Sequence, residues 1–407
     1  MPTTTATELA QLGGLVTTDT STSTVTVNGT LAATAIALPN NSVSTASISN
    51  SSVTAAKLSN PQYTGFRNRI INGDMRIDQR NGGTSVTPTS GQYLVDRFFA
   101  VQSVASKYSA QQNAGAVTPP TGFSNYQGTT SLSTYSSASD QFYIAQRIEA
   151  SNIGDLAFGT ASAQSVALSF WVRSSLSGTH SGSLINAPTF NRSYPFTFTV
   201  NAANTWEFKT VIIPGDTSGT WATSGTGAGL QVTFNLGSGS SFVGTAGAWN
   251  GNTNYGATGA VSVVGTNGAT FYITGVQLEA GSTATDFERR PYGTELALCQ
   301  RYFQSYGGQS VNDMITMGAT SGTSTFVGIV QLPVTMRTSP SVGYSAASAL
   351  TIDDNGLAGT SSAITTGAYG FTSAYLVVTT GATLVTNRPA RCYTNGSSAR
   401  LTWSAEL

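Results

Sequence analysis

The sequence predicts an all-β chain: a repeat-containing N-terminal stem, a jelly-roll β-sandwich, a short linking helix and a second, smaller β-sandwich. Three observations predict it. Asp, Glu, Lys and Arg together make up only 9% of the chain, which holds 44 Gly. That mixture favours short strands and turns over long helices. Several segments alternate apolar and polar residues with a period of two. After residue 20, one segment, TELALCQRYFQ, keeps a helical period instead. The composition is not a disordered one. Apolar residues reach 39%, with 18 Phe and 16 Tyr, enough to bury a sizeable core.

Residues 1–62 read as an attachment segment and stem. Thr5 and Glu8 have capping-box spacing, Leu9 and Leu12 share a face, and Gly13 stops the turn. NNSVSTASIS (40–49) and NSSVTAAKLS (50–59) are two copies of one decad. Each copy offers too few large apolar side chains for one chain to offset ordering costs of about 1–2 kcal/mol per residue. Several identical chains around an axis could, so the decads predict a homotrimeric stem. The alternative is a flexible Ser/Thr linker.

Residues 63–290 read as the jelly roll. In SVALSFWVRS, Val166, Leu168, Phe170 and Val172 share one face. PFTFTV gives Phe196, Phe198 and Val200, and LQVTFNL gives Leu230, Val232, Phe234 and Leu236. Gly, Asn, Ser and Pro clusters separate the runs, as in a sandwich or jelly roll. ATFYITGVQLEAG (269–281) reads as the last strand. Residues 291–308 read as the linker, with a helix over Thr294–Gln304 that buries Leu296, Cys299 and Phe303 between the two β-domains. Residues 309–407 return to strands and close on RLTWSAEL.

The segment 276–304 holds seven of the 36 charged residues: Glu279, Asp286, Glu288, Arg289, Arg290, Glu295 and Arg301. It reads as a joint, in which Arg289 and Arg290 pair with nearby acids or cap carbonyls. The net charge is zero and no run is rich in Lys or Arg, which argues against a nucleic-acid partner. No stretch of 18 apolar residues predicts a membrane span. MPTTTATELAQ lacks the pattern of a signal peptide, so synthesis in the cytoplasm is expected. Cys299 and Cys392 read as small buried hydrophobes; whether they meet is open.

NRIINGDMRIDQRNGG (68–83) with YLVDRFF (93–99), LSFWVRSS (168–175) and VQLEAG…FERRPYGTELALCQRYF resemble tail-fibre proteins of tailed phages. LPVTMRTSPSV (332–342) resembles the start of a terminal β-domain in such fibres, and the decads resemble stem repeats. INGDM, LSFWVRS and FYITGVQL are also similar to strands of jelly-roll carbohydrate-binding modules. In those modules acidic side chains hold a structural calcium. Here Arg76, Thr274 and Gly275 stand at the matching positions, so no metal and no cofactor are expected. The resemblance implies a virion protein, made in the host cytoplasm, that anchors to a tail or baseplate protein through its N-terminus and binds a host-surface polysaccharide without inserting into the membrane.

No catalytic residues are expected. The one histidine, His180, lies in SGTHSGS and reads as a solvated loop residue. Asp353 and Asp354 form a DDNG turn signature, and the carboxylates of the 276–304 segment read as ion-pair partners. Sugars stack on aromatic faces and bond to amides and hydroxyls. That chemistry singles out Trp221, Trp249, Asn252 and Tyr255 in Gly-rich loops, and Tyr344, Tyr369, Tyr375 and Tyr393 in the terminal domain. Trp171 and Trp206 read as core. The leading expectation is a receptor-binding fibre whose C-terminal β-domains contact a glycan. The alternatives are a purely structural tail or baseplate component and a polysaccharide depolymerase.

Overall fold

A computed structural model of the chain describes residues 16–19, 24–27 and 66–407, apart from 309. The chain divides into two compact units, Met1–Tyr63 and Thr64–Leu407. In the first, β1 (Val16–Asp19) pairs antiparallel with β2 (Thr24–Val27). The short helix expected after Thr5 and the two decads lie outside the described residues.

The second unit begins with two packed antiparallel sheets. One runs in spatial order β10 (Ser193–Val200), β9 (Gly178–Asn186), β12 (Ala228–Asn235), β7 (Phe142–Glu149), β4 (Phe98–Gln102), β3 (Tyr93–Val95). The other runs β11 (Glu207–Ile213), β8 (Val166–Ser174), β15 (Thr270–Ala280), β6 (Gln127–Ser131), β5 (Tyr108–Gln112). This is the expected jelly-roll sandwich, and the alternation explains it. Val166, Leu168, Phe170 and Val172 of β8 are fully buried and face Phe198 of β10 and Phe234 of β12. Phe170 meets those two rings edge-on at 4.9 and 5.0 Å, contacts worth about 0.5–1.5 kcal/mol each beyond their burial. The other face of the first sheet is covered as well. The loop carrying β13 (Val243–Gly244) and β14 (Gly256–Ala257), a short parallel pair, packs Tyr255 with Phe99, Tyr143 and Ile185.

His180 departs from expectation. It is a buried residue of β9, stacked between Phe198 and Phe271 at 5.8 and 5.7 Å, with Nε2 against the Leu176 carbonyl at 2.9 Å. Burial holds its pKa below the usual value. SGTHSGS looked like a turn because it lacks large apolar residues; pairing with β10 makes it a strand.

The C-terminal strands go one step further than a sandwich. β17 (Met314–Thr320), β18 (Thr325–Gln331), β22 (Ser373–Thr380), β21 (Ala358–Tyr369), β20 (Leu350–Asp353) and β23 (Pro389–Thr394) close into a barrel. β16 (Phe303–Gly307), β24 (Arg400–Ser404) and β19 (Ser341–Tyr344) form a three-stranded sheet beside it. Phe326, Leu376, Val378, Cys392 and Trp403 lie in their common core. Cys299 and Cys392 are both buried and unbridged.

The linking helix, α1 (Tyr292–Gln300), starts and stops earlier than predicted. Phe303 is the first residue of β16 and pairs with Ser404. A helix of nine residues has little stability of its own, so the ladder to β24 takes the residues its last turn would use. Cys299 and Tyr302 are buried with Ile71 and Ile77, and Leu296, Leu298 and Leu407 pack against them. Phe303 is buried too, beneath the Arg80 guanidinium at 3.7 Å.

Much of this joint is ionic. The buried Arg97 pairs with Glu406, which also takes Arg80 at 2.8 Å. Glu149 accepts Arg301 at 2.7 Å and the Tyr302 hydroxyl at 2.8 Å. Arg337 donates to the carbonyls of Ala405 and Glu406, and Arg147 to that of Leu407. Arg290 is buried against Glu288, Glu295 and the carbonyls of Asn68 and Ile70. Each buried charge thus has the partner that burial demands.

Candidate functional site

The charges of the 276–304 segment divide into two sets. Glu279 accepts the Thr285 amide at 2.8 Å and its hydroxyl at 2.7 Å. Glu288 accepts the Asn68 amide at 2.8 Å and Arg290 at 3.2 Å, while its own amide donates to Gln277 at 2.7 Å. These bonds pin the chain as it leaves β15. Asp286 and Arg289, held between the pinned residues, are exposed, and among the described residues neither side chain has a hydrogen-bond or ion-pair partner. The expectation that Asp286 and Arg289 form ion pairs is therefore corrected; it holds for Glu288 and Arg290.

Asp286 and Arg289 line a cleft of about 410 Å³ with Phe123, Trp171, Phe208, Gly275 and Phe287. Its floor is the outer face of the second sheet. Trp171 of β8 pairs with Phe208 of β11 on one side and Thr274 of β15 on the other. The two rings lie 5.5 Å apart at 53°. Phe208 is 48% exposed, large for a phenyl ring in a folded chain. The wall is Phe123 against Phe287, edge to face at 5.2 Å. The Arg289 guanidinium sits over both, 4.6 Å from one centroid and 5.6 Å from the other. The rings thereby hold the arginine fork in place while leaving its donors unused.

Two glycines make this geometry possible. Gly275 has φ +63° at a register shift in the β15–β8 ladder. A Cβ there would stand 2.7 Å from Phe123 and 3.2 Å from Trp171. Gly122 has φ +86°, and a Cβ on it would stand 2.9 Å from Arg289 Nη2. The residues at the expected calcium positions make other contacts. Thr274 donates to the Asn125 carbonyl at 2.7 Å, and Arg76 meets Asp74 at 3.2 Å.

The aromatic residues singled out from sequence are scattered. Trp221 is buried, its indole N–H shared between Asp216 and the Ser218 carbonyl at 3.2 Å each, and its ring lies edge-on to Phe158. Trp249 is half-buried 5.5 Å from Trp221 and donates to the Pro214 carbonyl at 2.7 Å. Tyr255 is buried, stacked on Tyr143 at 4.4 Å. Trp221 and Tyr255 thus offer no free face, because both rings are buried against other aromatic rings. Asn252 is exposed and lines a second cleft of about 310 Å³ with Asn250 and Asn254, whose lining includes none of these rings. Tyr344 on β19 and Tyr375 on β22 are exposed, and Tyr393 on β23 is half-buried. The side chain of Tyr369 lies outside the described residues.

Neither tryptophan expected in the core is fully buried, although Trp206 packs against the small cluster of Ala114, Tyr126 and Tyr272. Trp171 is half-exposed in the cleft, and Trp206 is half-exposed with its indole N–H on the Thr118 carbonyl at 2.9 Å. The signal for Trp171 was present: if Phe170 and Val172 point inward, the residue between them points out. In EFKTVIIP, likewise, Phe208 and Ile212 share one parity and Val211 and Ile213 the other, so one apolar face is left over. Asp353 pairs with Arg391, and the buried Asp354 accepts the amides of Leu357 and Val385 at 3.1 and 2.8 Å, as a turn signature requires.

No family model matches the chain, and no curated protein matches it. It is similar to solved structures. The enzymatically active domain of tailspike protein 4 from bacteriophage CBA120 shares 11% identity over 52% of this chain, with a TM-score of 0.27. The match spans 21% of that tailspike chain. A family 11 carbohydrate-binding module from Clostridium thermocellum, in complex with a β-1,3-1,4-mixed-linked tetrasaccharide, shares 11% over 47% of this chain and 92% of its own, with a TM-score of 0.25. The CBM22-1 xylan-binding domain of Paenibacillus barcinonensis Xyn10C shares 11% over 50% of this chain and 99% of its own, with a TM-score of 0.22. At TM-scores this low the likenesses say nothing of this chain's ligand or assembly.

Proposed function

We propose that the chain is a glycan-binding component of a tailed-phage tail fibre, that the cleft over Trp171 and Phe208 is its sugar site, and that it binds without cleaving. The observation that supports this most is the cleft itself. Two partly exposed aromatic faces form its floor, and a free carboxylate and a free guanidinium stand beside them. A pyranose needs this combination, an apolar ring face to stack on and polar groups for its hydroxyls. Hydrolysis needs two carboxyl groups about 5–10 Å apart, and the lining includes one, Asp286. Attachment through the N-terminus, a homotrimer and a place in the virion rest on the decads and the sequence resemblance. Three copies of a weak site suffice, because linked sites raise avidity by about 10²–10⁴.

A polysaccharide array probed with the whole chain tests the reading, followed by titration of Trp171→Ala and Phe208→Ala. Each substitution should weaken binding about tenfold or more and lower the melting temperature only modestly, with the fold retained. Binding that ignores both substitutions would remove the cleft from the reading; binding to no glycan would remove the function.

One observation favours a second reading, docking onto another virion protein. Ile329 of β18 and Tyr375 of β22 are direct cross-strand partners and are 57% and 40% exposed. Met317 of β17, 67% exposed, stands beside Ile329, because Gly318 pairs with Gly328. Charged substitutions at Ile329 and Met317 should block assembly into virions under this reading and change nothing under the first.

A further inference from the structure

The geometry points to the charge class of the glycan: Asp286 and Arg289 together select a sugar with no net charge. This rests on the glycan reading of the cleft and deepens it.

The argument starts from the pair's unspent bonding capacity. Almost every other charge of the 276–304 segment is committed to the fold, Glu279 to Thr285, Glu288 and Glu295 to Arg290, and Arg301 to Glu149. Asp286 and Arg289 are not, yet both sit on the wall of the same cleft. An ionised carboxylate only accepts hydrogen bonds, and a guanidinium only donates them. A ligand that satisfies both must supply donors on one side and acceptors on the other. Sugar hydroxyls do both at once, and adjacent hydroxyls match the two oxygens of a carboxylate or the fork of an arginine.

The same pair penalises charged sugars. A uronic or sialic acid bound on Arg289 brings its carboxylate near Asp286, and an amino sugar on Asp286 brings its ammonium near Arg289. Like charges brought together in a partly desolvated cleft oppose binding. Arg289 also acts electrostatically on Asp74, but that carboxylate is paired with Arg76 at 3.2 Å and leaves the cleft's own balance at one charge of each sign. Cation–π contact with Phe123 and Phe287 favours the guanidinium position over the cleft wall, close to where a competing ion pair would form.

The test compares the whole protein with Asp286→Asn and Arg289→Gln on immobilised neutral polysaccharides (glucan, mannan, galactan) and acidic ones (polygalacturonate, polysialate). Both residues are exposed and unpaired, so both variants should fold. The unaltered protein should bind a neutral polymer and prefer it over both acidic ones. Asp286→Asn should lose about tenfold on the neutral polymer and gain measurable binding to an acidic one, because the cleft becomes net positive. Arg289→Gln should lose a similar factor on the neutral polymer and gain nothing on the acidic ones. Equal or tighter binding of polygalacturonate or polysialate by the unaltered protein overturns the inference. So does neutral binding that falls with Trp171→Ala yet ignores both charge changes, and in that case the sugar site itself stands. Neutral binding that ignores Trp171→Ala as well overturns both.

Discussion

Within 29 residues, 276–304, the chain builds two regions that treat charge in opposite ways. At the joint, Arg290, Glu288 and Glu295 are buried or nearly so and bonded to one another and to backbone carbonyls. At the cleft, Asp286 and Arg289 are exposed, and among the described residues their side chains make no hydrogen bond or ion pair. In sequence the two sets interleave residue by residue. The difference teaches that charge density does not mark a site; unspent bonding capacity does. A buried charge is kept only with its partners, so the joint explains itself. An exposed acid and base that spend no side-chain bonds on the fold keep those groups available to a ligand.

The largest expected effect falls on the joint. Glu406→Ala leaves Arg97, 1% exposed, without its carboxylate. Removing one partner of a buried pair costs about 3–5 kcal/mol, so denaturant unfolding should shift strongly. A shift under about 1 kcal/mol would mean that the joint is wetter than its geometry implies.

Gly275→Ala should cost less, about 1–2 kcal/mol for the left-handed backbone plus displacement of Phe123. Its sharper signature is loss of sugar binding with the fold retained. A variant that binds as before would detach the bulge from the site.

Acid separates the sandwich from the joint. His180 is held neutral by burial below its usual value of 6.5, so the unfolded chain takes its proton first. Its contribution is intact above about pH 6.5 and is lost as pH falls below that. Asp96 works the other way. Burial outweighs Arg80 and pushes it up to about 6, so the folded state keeps its proton longer and stability falls as pH rises from about 4 towards 6. His180→Phe should flatten the acid loss, and Asp96→Asn should remove the opposing slope. Melting temperatures between pH 4 and 7 measure both.

The smallest effect on stability belongs to the cleft. Asp286→Asn should stay within about 0.5 kcal/mol, as surface changes do, while binding changes. A large loss of stability would show that Asp286 belongs to the joint after all.

The sandwich core was legible because alternation is a local rule. Val166, Leu168, Phe170 and Val172 are buried for the reason that makes them recognisable, a period of two against an apolar layer. The same parity would have placed Trp171 outside, but a tryptophan's size argued for the core, and size prevailed over position. His180 gives no strand signal because its neighbours in β9, from Gly178 to Ser183, are Gly, Ser and Thr.

The sequence by itself determined the all-β class and the jelly roll, since both follow from short-range patterns of polarity and turn residues. It did not determine how far α1 runs, whether the last strands stay open or close, or which charges are satisfied. Phe303 left the helix because β24, a hundred residues later, offered it a ladder. Glu149 found Arg301, and Arg97 found Glu406, across 152 and 309 residues. Pairing is a property of distance in space, and burial sets how strongly an unpaired charge is opposed. Only the tertiary structure could therefore separate Arg290 from its neighbour Arg289 and leave one of them free.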